Sequence, residues 1–382
     1  MRKSYKFRLY PAKEQEIVLV KTLDVCRYIY NEFLADRRNA YDRCNQGLTT
    51  FDQITQVKYI ECRTEVFSQI KQDVLRRLGK SFDAFFRRCK TGETPGYPRF
   101  KGKDRYNSFT YPQSGFKIEG TKLKLSKIGN IKIKQHREIE GKIKTCSIKR
   151  EVDQWYAVLS VDMGANPEKI DPATSIGVDV GLNSCISLSN GEKFDSPIYY
   201  RKSERSLEVQ RKRLSKKKKG SSNRLKQKLK VVKVHRNIRN QRLDFNHKLS
   251  RILVNRFDRV VFEDLNIKNM VKDHHLAKSI HDVAWGQLIQ MAKSKAEEAG
   301  NFVELVNPFN TSQECSSCGN IVKKALSVRI HKCPECGLEL DRDVNAAINI
   351  LNRCTVGTTG GPVESRTLVW AMKQEATHYN GW

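Results

Sequence analysis

Residues 315–350 decide how the rest of this chain is read: CSSCGN (315–320), a basic spacer that contains Arg329, and HKCPECGLELDRDVNAAINI (331–350). Two C-x2-C knuckles, Cys315/Cys318 and Cys333/Cys336, flank the spacer. Each pair can bite one tetrahedral ion from a tight turn, and Gly319 and Gly337 sit where such turns need a glycine. Thiolate softness selects Zn²⁺ over Mg²⁺ or Ca²⁺. Four thiolates leave no open position, which makes the ion structural. Reduced free cysteines or a disulfide pair are the alternatives. An acidic turn, Asp341-Arg342-Asp343, follows almost at once, and then a stretch of good helical pattern. Carboxylates beside a thiolate cluster point to a second metal with different work.

Outward from this stretch, composition bounds the answer. At 382 residues, two or three domains are expected. The 38% apolar content supports real cores. Against 42 Asp and Glu stand 71 Lys and Arg, a net charge of +29. Such an excess repels itself unless a polyanion neutralises it, so nucleic acid is the leading partner. An anionic membrane is the runner-up, but no apolar run approaches the ~18–20 residues of a span, and no membrane partner is expected. The N-terminus, MRKSYKFRLYP, lacks the apolar core of a signal peptide. The seven other cysteines (Cys26, Cys44, Cys62, Cys89, Cys146, Cys185 and Cys354) are unpatterned, which fits ordinary thiols in a reducing cytosol.

In chain order, KSYKFRLY (3–10) alternates like a strand and Pro11 stops it. Ile17, Val20, Leu23, Tyr28, Ile29 and Phe33 recur at helical steps over 14–44. Residues 52–88 carry one or two more helices. Residues 94–112 read as a loop entering a sheet, and short alternating runs over 109–163 as a small barrel or curled sheet. A Pro-containing linker (164–174) precedes the strand–turn–strand SIGVDVGLNSCISLSNGEKF. Residues 200–253 read as two basic helices about a KKKKGSS turn, with a seam of Leu214, Leu225, Leu229, Val232 and Ile238. The strand RVVFED follows, then a loop with His274, His275 and His281, a helix over 283–300 and the short strand NFVELVNP. The last residues are patternless, and mobility is expected there.

Asp179 lies inside an apolar strand, where a charge is costly unless it binds something. Glu263 ends another apolar strand, and Asp343 begins the last helix. Converging at one edge of a mixed sheet, these acids would repel one another unless they held divalent cations, and hard oxygen donors suit Mg²⁺ or Mn²⁺. Two such ions about 4 Å apart can activate water and stabilise the leaving oxygen of a phosphodiester. Each acid also has a plain reading: a turn acid, a strand-end surface group and a helix N-cap. The cationic excess runs through the sheet, the helix pair and the ribbon spacer, as an extended polyanion track would need. Tyr97, Phe100, Tyr106, Phe109 and Tyr111 lie among basic residues and can stack on bases or fill a core.

The combination FRLYPAKEQE, YNEFLADR, GYPRFK, GVDVGLN, HKLS, VVFEDLNIKNM, DVAWGQL, CSSCGN, CPECG and DRDVNAAINIL resembles the TnpB (OrfB) family encoded by insertion sequences, relatives of the type V CRISPR effectors. The resemblance covers roughly residues 4–352. It implies a multidomain α+β protein. A β-barrel wedge domain (1–11 and 94–170) would carry a helical recognition insert (12–93). A RuvC-like nuclease domain of the RNase H fold (171–310 and 339–352) would hold an inserted zinc ribbon (311–338), with a flexible tail at 353–382. Asp179, Glu263 and Asp343 match the three catalytic acids, and Arg329 a basic position near the scissile phosphate. The implied activity is RNA-guided DNA cleavage beside a short flanking motif. It would use structural Zn²⁺, catalytic Mg²⁺ or Mn²⁺, and a guide RNA from the element's own end. Gln72, Thr110 and Tyr111 are expected as motif readers. One monomer per RNA and a cytoplasmic setting are expected. A nuclease-inactive repressor and a transposase acting on element ends are the alternatives; intact acids argue against the first, and the lack of a recombinase pattern against the second.

Overall fold

The structure, a computed structural model, describes residues 1–57, 65–103, 105–169, 171–272, 274–325 and 328–355. Cys62 and residues 356–382 of the expected tail lie outside the described residues. The chain divides into two units, Met1–Ala165 and Asn166–Trp382.

The first unit opens with β1 (Arg2–Tyr10), whose alternation buries Tyr5, Phe7 and Leu9 on one face. Three helices follow: α1 (Lys13–Cys44), α2 (Thr50–Gln56) and α3 (Ser68–Lys90). Helix α1 buries Leu19, Leu23, Cys26, Ile29 and Phe33 at three- and four-residue steps, and Ile70, Val74, Leu75 and Leu78 of α3 join the same core. Six strands complete the unit: β2 (Ser108–Tyr111), β3 (Phe116–Glu119), β4 (Lys122–Leu125), β5 (Gly129–Lys134), β6 (Lys142–Glu151) and β7 (Gln154–Asp162). They form one sheet with β1, in the order β2-β6-β7-β1-β5-β4-β3. The first strand is therefore central, paired antiparallel to both β7 and β5. The expected barrel is not closed. Its edges β2 and β3 are four residues each, and no ladder joins them among the described residues. Yet only 112–115 separates them in sequence, so the sheet must curl back on itself. Tyr111 and Phe116 meet across that gap with ring centres 6.4 Å apart.

The second unit centres on a mixed sheet of β8 (Ser175–Val180), β9 (Ser184–Leu188), β10 (Lys193–Asp195), β11 (Arg259–Glu263) and β12 (Phe302–Val306), in the order β10-β9-β8-β11-β12. Strands β8, β11 and β12 are parallel, and β9 is antiparallel to both neighbours. Parallel neighbours need long crossovers. One is the hairpin of α4 (Tyr199–Ser215) and α5 (Ser222–Arg256). The other is α6 (Ile267–Met270), α7 (His274–Val283) and α8 (Trp285–Ala299). Leu249 and Leu253 of α5 and Leu288 and Ala292 of α8 pack in the sheet's core. The ribbon strands β13 (Ile330–Lys332) and β14 (Glu339–Asp341) form a separate antiparallel pair, and α9 (Arg342–Thr355) ends the described chain.

Several expectations change. His274, His275 and His281 lie on α7 rather than in a loop, and α7 and α8 are separated by Ala284 at φ +57°. The helical seam buries Leu207, Val231 and Ile238, while Leu225 is 62% exposed. Helix α9 runs through residues 353–355, where the tail was expected to begin. Among the described residues, no helix is long and apolar enough to cross a membrane.

Candidate active site and metal centre

Register brings the first two acids together. Val261 of β11 pairs in parallel with Gly177 of β8, and Phe262 with Val178. One step further sets Glu263 beside Asp179, on adjacent strands ~4.8 Å apart and facing the same side. Asp264 alternates away and is exposed.

The third acid arrives on a helix, and a glycine lets it in. A Cβ on Gly177 would lie 2.0 Å from the Ala347 carbonyl oxygen and 2.9 Å from the Leu351 amide nitrogen. Helix α9 therefore rests directly on the strand backbone at this point. From that crossing, Asp179 lies two residues along the strand, ~6.6 Å. Asp343 lies one turn back along the helix, ~6 Å. Both acids thus stand off from one crossing by the same amount. Val261, Ile350 and Cys354 seal the face beneath.

The electrostatics agree with this placement. Burial pushes the Asp179 carboxyl up to about 8, and the charges of Glu263 and Asp343 add to the rise, while Arg342 opposes it. Glu263 is 7% exposed and is also raised, chiefly by burial. The Thr311 hydroxyl and Arg353 hold it partly in check. Asp179 and Glu263 thus resist ionising, and carboxylate oxygens are hard donors of the kind divalent cations take.

The plain reading of Asp343 as the N-cap falls to its neighbour. Asp341 Oδ1 accepts from the Asp343 and Val344 amides at 3.0 and 3.2 Å, so Asp341 caps α9. Its other oxygen is 2.7 Å from Lys193 Nζ. Burial works against ionisation here, yet Lys193 and the helix amides hold Asp341 below the usual carboxylate range. Asp343, freed from capping, sits in the first turn.

The four knuckle thiols converge as expected. Cys315 and Cys336 sulfurs are 3.6 Å apart, Cys318 and Cys333 are 3.5 Å apart, and all four lie within 4.8 Å of one another. A tetrahedron of ~2.3 Å Zn–S bonds has edges of ~3.8 Å, so the set fits Zn²⁺. The two turns are twins. Gly319 N donates to Cys315 O, and Gly337 N to Cys333 O, with both glycines at positive φ. Backbone amides of Cys336 and Glu335 favour the Cys333 thiolate that a metal needs, whereas burial raises Cys315, and burial with the neighbouring sulfurs raises Cys318. The other described cysteines are free thiols.

Sequence reasoning missed a stripe on α9. Asn345, Asn349 and Arg353, four residues apart, strap the segment that enters the first knuckle. Asn345 Nδ2 donates to Glu314 O, and Asn349 Nδ2 to Thr311 O and Glu314 O. Arg353 reaches Asn307 O and the Glu314 carboxylate, both at 2.7 Å. Two asparagines four residues apart in the otherwise apolar run NAAIN were the available signal; both are buried.

Of the nucleic-acid candidates, Tyr111 is overturned. It is fully buried with its hydroxyl on Ser126 O at 2.9 Å, so it belongs to the core. Phe109 is likewise core, whereas Tyr97 and Phe100 are exposed. Gln72 is half-buried. Thr110 is tied to Arg77 and Ser147, at 2.5 and 2.7 Å. Arg329 is exposed, with its carbonyl accepting from the Arg342 amide. The cation whose field reaches Asp179 is Arg342.

Three family models match the chain. They are described as "Cas12f1-like, TNB domain" over residues 285–350, "Probable transposase" (OrfB_IS605) over 157–274 and "Helix-turn-helix domain" (HTH_OrfB_IS605) over 1–46. The last covers β1 and α1, a strand followed by one long helix. A Streptomyces pristinaespiralis protein, provisionally named an RNA-guided DNA endonuclease, is 33% identical over 98% of this chain and 96% of its own length. Escherichia coli K12 InsQ, provisionally named likewise, is 28% identical over 91% of each chain. The cryo-EM structure of a Cas12f1–sgRNA–target DNA complex matches at a TM-score of 0.59 with 15% identity. The match covers 92% of this chain and 99% of that one, a likeness of fold.

Proposed function

The chain belongs to the TnpB (OrfB) family of insertion-sequence proteins, and on that footing we propose that it is an RNA-guided, divalent-metal-dependent DNA endonuclease with one cutting site. What supports the reading is that Asp179 and Glu263 stand side by side on parallel strands and that the charge of Asp343, in the first turn of α9, acts on Asp179. In this reading the second unit is a RuvC-like nuclease domain with an inserted zinc ribbon, and the first a wedge sheet with a helical recognition insert. Asp179, Glu263 and Asp343 would hold Mg²⁺ or Mn²⁺. Bound there, a pair of such ions activates water and stabilises the leaving oxygen of a phosphodiester. The chain's own part is positional. Thr311 fixes one oxygen of Glu263, the α9 strap fixes Thr311, and the Asp341 cap fixes the first turn that bears Asp343. Arg329 would approach the phosphate from the ribbon, and Gln72 and Thr110 the flanking motif.

Guide pairing would read the target sequence, and the protein the flanking motif and duplex shape. A single protein per guide in the cytoplasm suffices for this. The test is cleavage of a matched duplex by purified protein with RNA transcribed from its element's end and Mg²⁺. Cutting of both strands is expected, with Asp179→Ala binding but not cutting. Wild-type protein that binds the matched target and leaves it whole at every flanking motif would establish a guided repressor instead. Strand-transfer products from element ends without RNA would establish a transposase.

A further inference from the structure

The first unit holds a cavity of about 250 Å³ between α1, α3 and the residues Lys101 and Arg105 to Ser108. Tyr30, Arg77, Lys101, Arg105 and Tyr106 line it, and among the described residues no carboxylate does. Tyr30 and Lys101 come from YNEFLADR and GYPRFK, two motifs with no part in the acid site.

The cavity is preorganised. Asn31 clamps the Lys101 backbone with two hydrogen bonds. Its Nδ2 donates to Lys101 O at 2.9 Å, and its Oδ1 accepts from Lys101 N at 2.7 Å. The Lys101 ammonium then lies 5.1 Å from the centre of the Tyr30 ring, which steadies the charge without neutralising it. Arg77 is a fixed wall. It donates to Ser108 O at 2.8 Å and to Thr110 Oγ1, and its Nε is 2.8 Å from the Asp73 carboxylate. Arg105 is exposed at the rim.

Tyr106 is the informative residue. It is 9% exposed; the Arg77 guanidinium stands beside its buried hydroxyl as a donor, and no acceptor meets the O–H. Burial pushes this phenol well above its ordinary range, so it remains an O–H donor. A buried hydroxyl left unmet is costly, and here it faces a cationic cavity. An acceptor carrying negative charge satisfies both features at once.

We propose that this cavity takes one phosphodiester group of a nucleic acid, held by Lys101, Arg105 and the Tyr106 hydroxyl. The assignment rests on the nucleic-acid reading of the chain but not on cleavage. Guide RNA and target DNA carry the same group, and the test separates them. Full-length protein is titrated with a labelled short single-stranded RNA and a labelled short DNA duplex, both of mixed sequence, over a range of salt. Lys101→Ala/Arg105→Ala is expected to bind about tenfold or more weakly. The slope of log affinity against log salt should shrink by about 0.9 on the duplex or about 0.7 on single-stranded RNA, as one phosphate requires. Tyr106→Phe, which removes a neutral donor, should weaken binding about threefold or more and leave the slope unchanged. Loss on RNA alone identifies the guide as source, loss on DNA alone the target, and loss on both a site used by each. Unchanged affinity and slope on both probes, with an unchanged melting temperature, overturns the proposal. A wild-type protein that cuts nothing while these binding losses stand removes the nuclease reading and keeps this one.

Discussion

Asp179 concentrates the cost of the site in one side chain. Its folded-state carboxyl titrates near 8, whereas an unfolded aspartate titrates near ~3.9. Between those values the folded state holds a proton that the unfolded state has lost. Stability from this group is therefore full at low pH and falls as pH rises toward 8. Metal-free protein is expected to melt lower at pH 8 than at pH 5 on this account, and Asp179→Asn should flatten the profile while abolishing cleavage. A melting profile whose slope is the same in both proteins would show that Asp179 is not the group responsible. Because cation and proton compete for the same oxygens, added Mn²⁺ should raise the melting temperature more at pH 8 than at pH 5. Gly177 carries a different constraint, one of space. Its added methyl would collide with helix backbone at 2.0 Å, which no rotamer change relieves. Gly177→Ala should cost about 1–3 kcal/mol or more. It should also move Asp343 off Asp179, so activity falls further than stability explains. Denaturant melts paired with cleavage rates check this.

At the scale of elements, α9 joins the thiolate ribbon to the acids. Its asparagine stripe holds the turn segment that enters the first knuckle, and that same segment delivers Thr311 to Glu263. Cys333→Ala should lose zinc and lower cleavage with all three acids still present; full metal content and full rate in that variant would refute the coupling. Asn349→Leu strips a donor from two buried carbonyls and should cost about 1–3 kcal/mol in a urea melt. Much of this was legible in the residues themselves. The alternation of KSYKFRLY placed a strand, the apolar run RVVFED placed β11 with its acid at the end, and the knuckle spacing placed four thiols together. What escaped was set by neighbours distant in sequence. Leu225 has the right spacing for the helical seam but lies 62% exposed, because periodicity cannot show where two helices part. Ala284 breaks α7 from α8 in a conformation its residue type does not advertise. Tyr111 follows a basic stretch in sequence but lies inside the core in space, since strand alternation sends neighbours to opposite faces. The role of Gly177 needs the helix that crosses it to be seen.

Over the whole molecule, charge is uneven in a way that bears on binding. Residues 199–256, the α4–α5 hairpin, hold 21 Lys and Arg against three Asp and Glu, a net +18 out of +29 for the chain. Lys216, Lys217, Lys218 and Lys219 crowd its exposed turn. The turn itself needs none of those side chains. Ser221 caps α5 through the Arg224 amide, and Arg224 fastens the turn by donating to Leu214 O and Lys217 O at 2.8 and 2.9 Å. Four adjacent ammonium groups on a backbone-held turn repel one another, and an anion's phosphates relieve that repulsion. Each phosphate so neutralised releases counterions and adds ~0.9 to the salt slope on duplex DNA, or ~0.7 on a single strand. Changing all four lysines to glutamine should leave the melting temperature of the free protein unchanged or slightly higher. It should weaken binding of nucleic acid most at low salt and flatten the slope by roughly one unit for each phosphate that is no longer neutralised. Affinity measured by anisotropy across a salt series decides the matter. A parallel shift at all salt concentrations would mean that the turn acts through shape, and no shift at all would mean that it meets no phosphate.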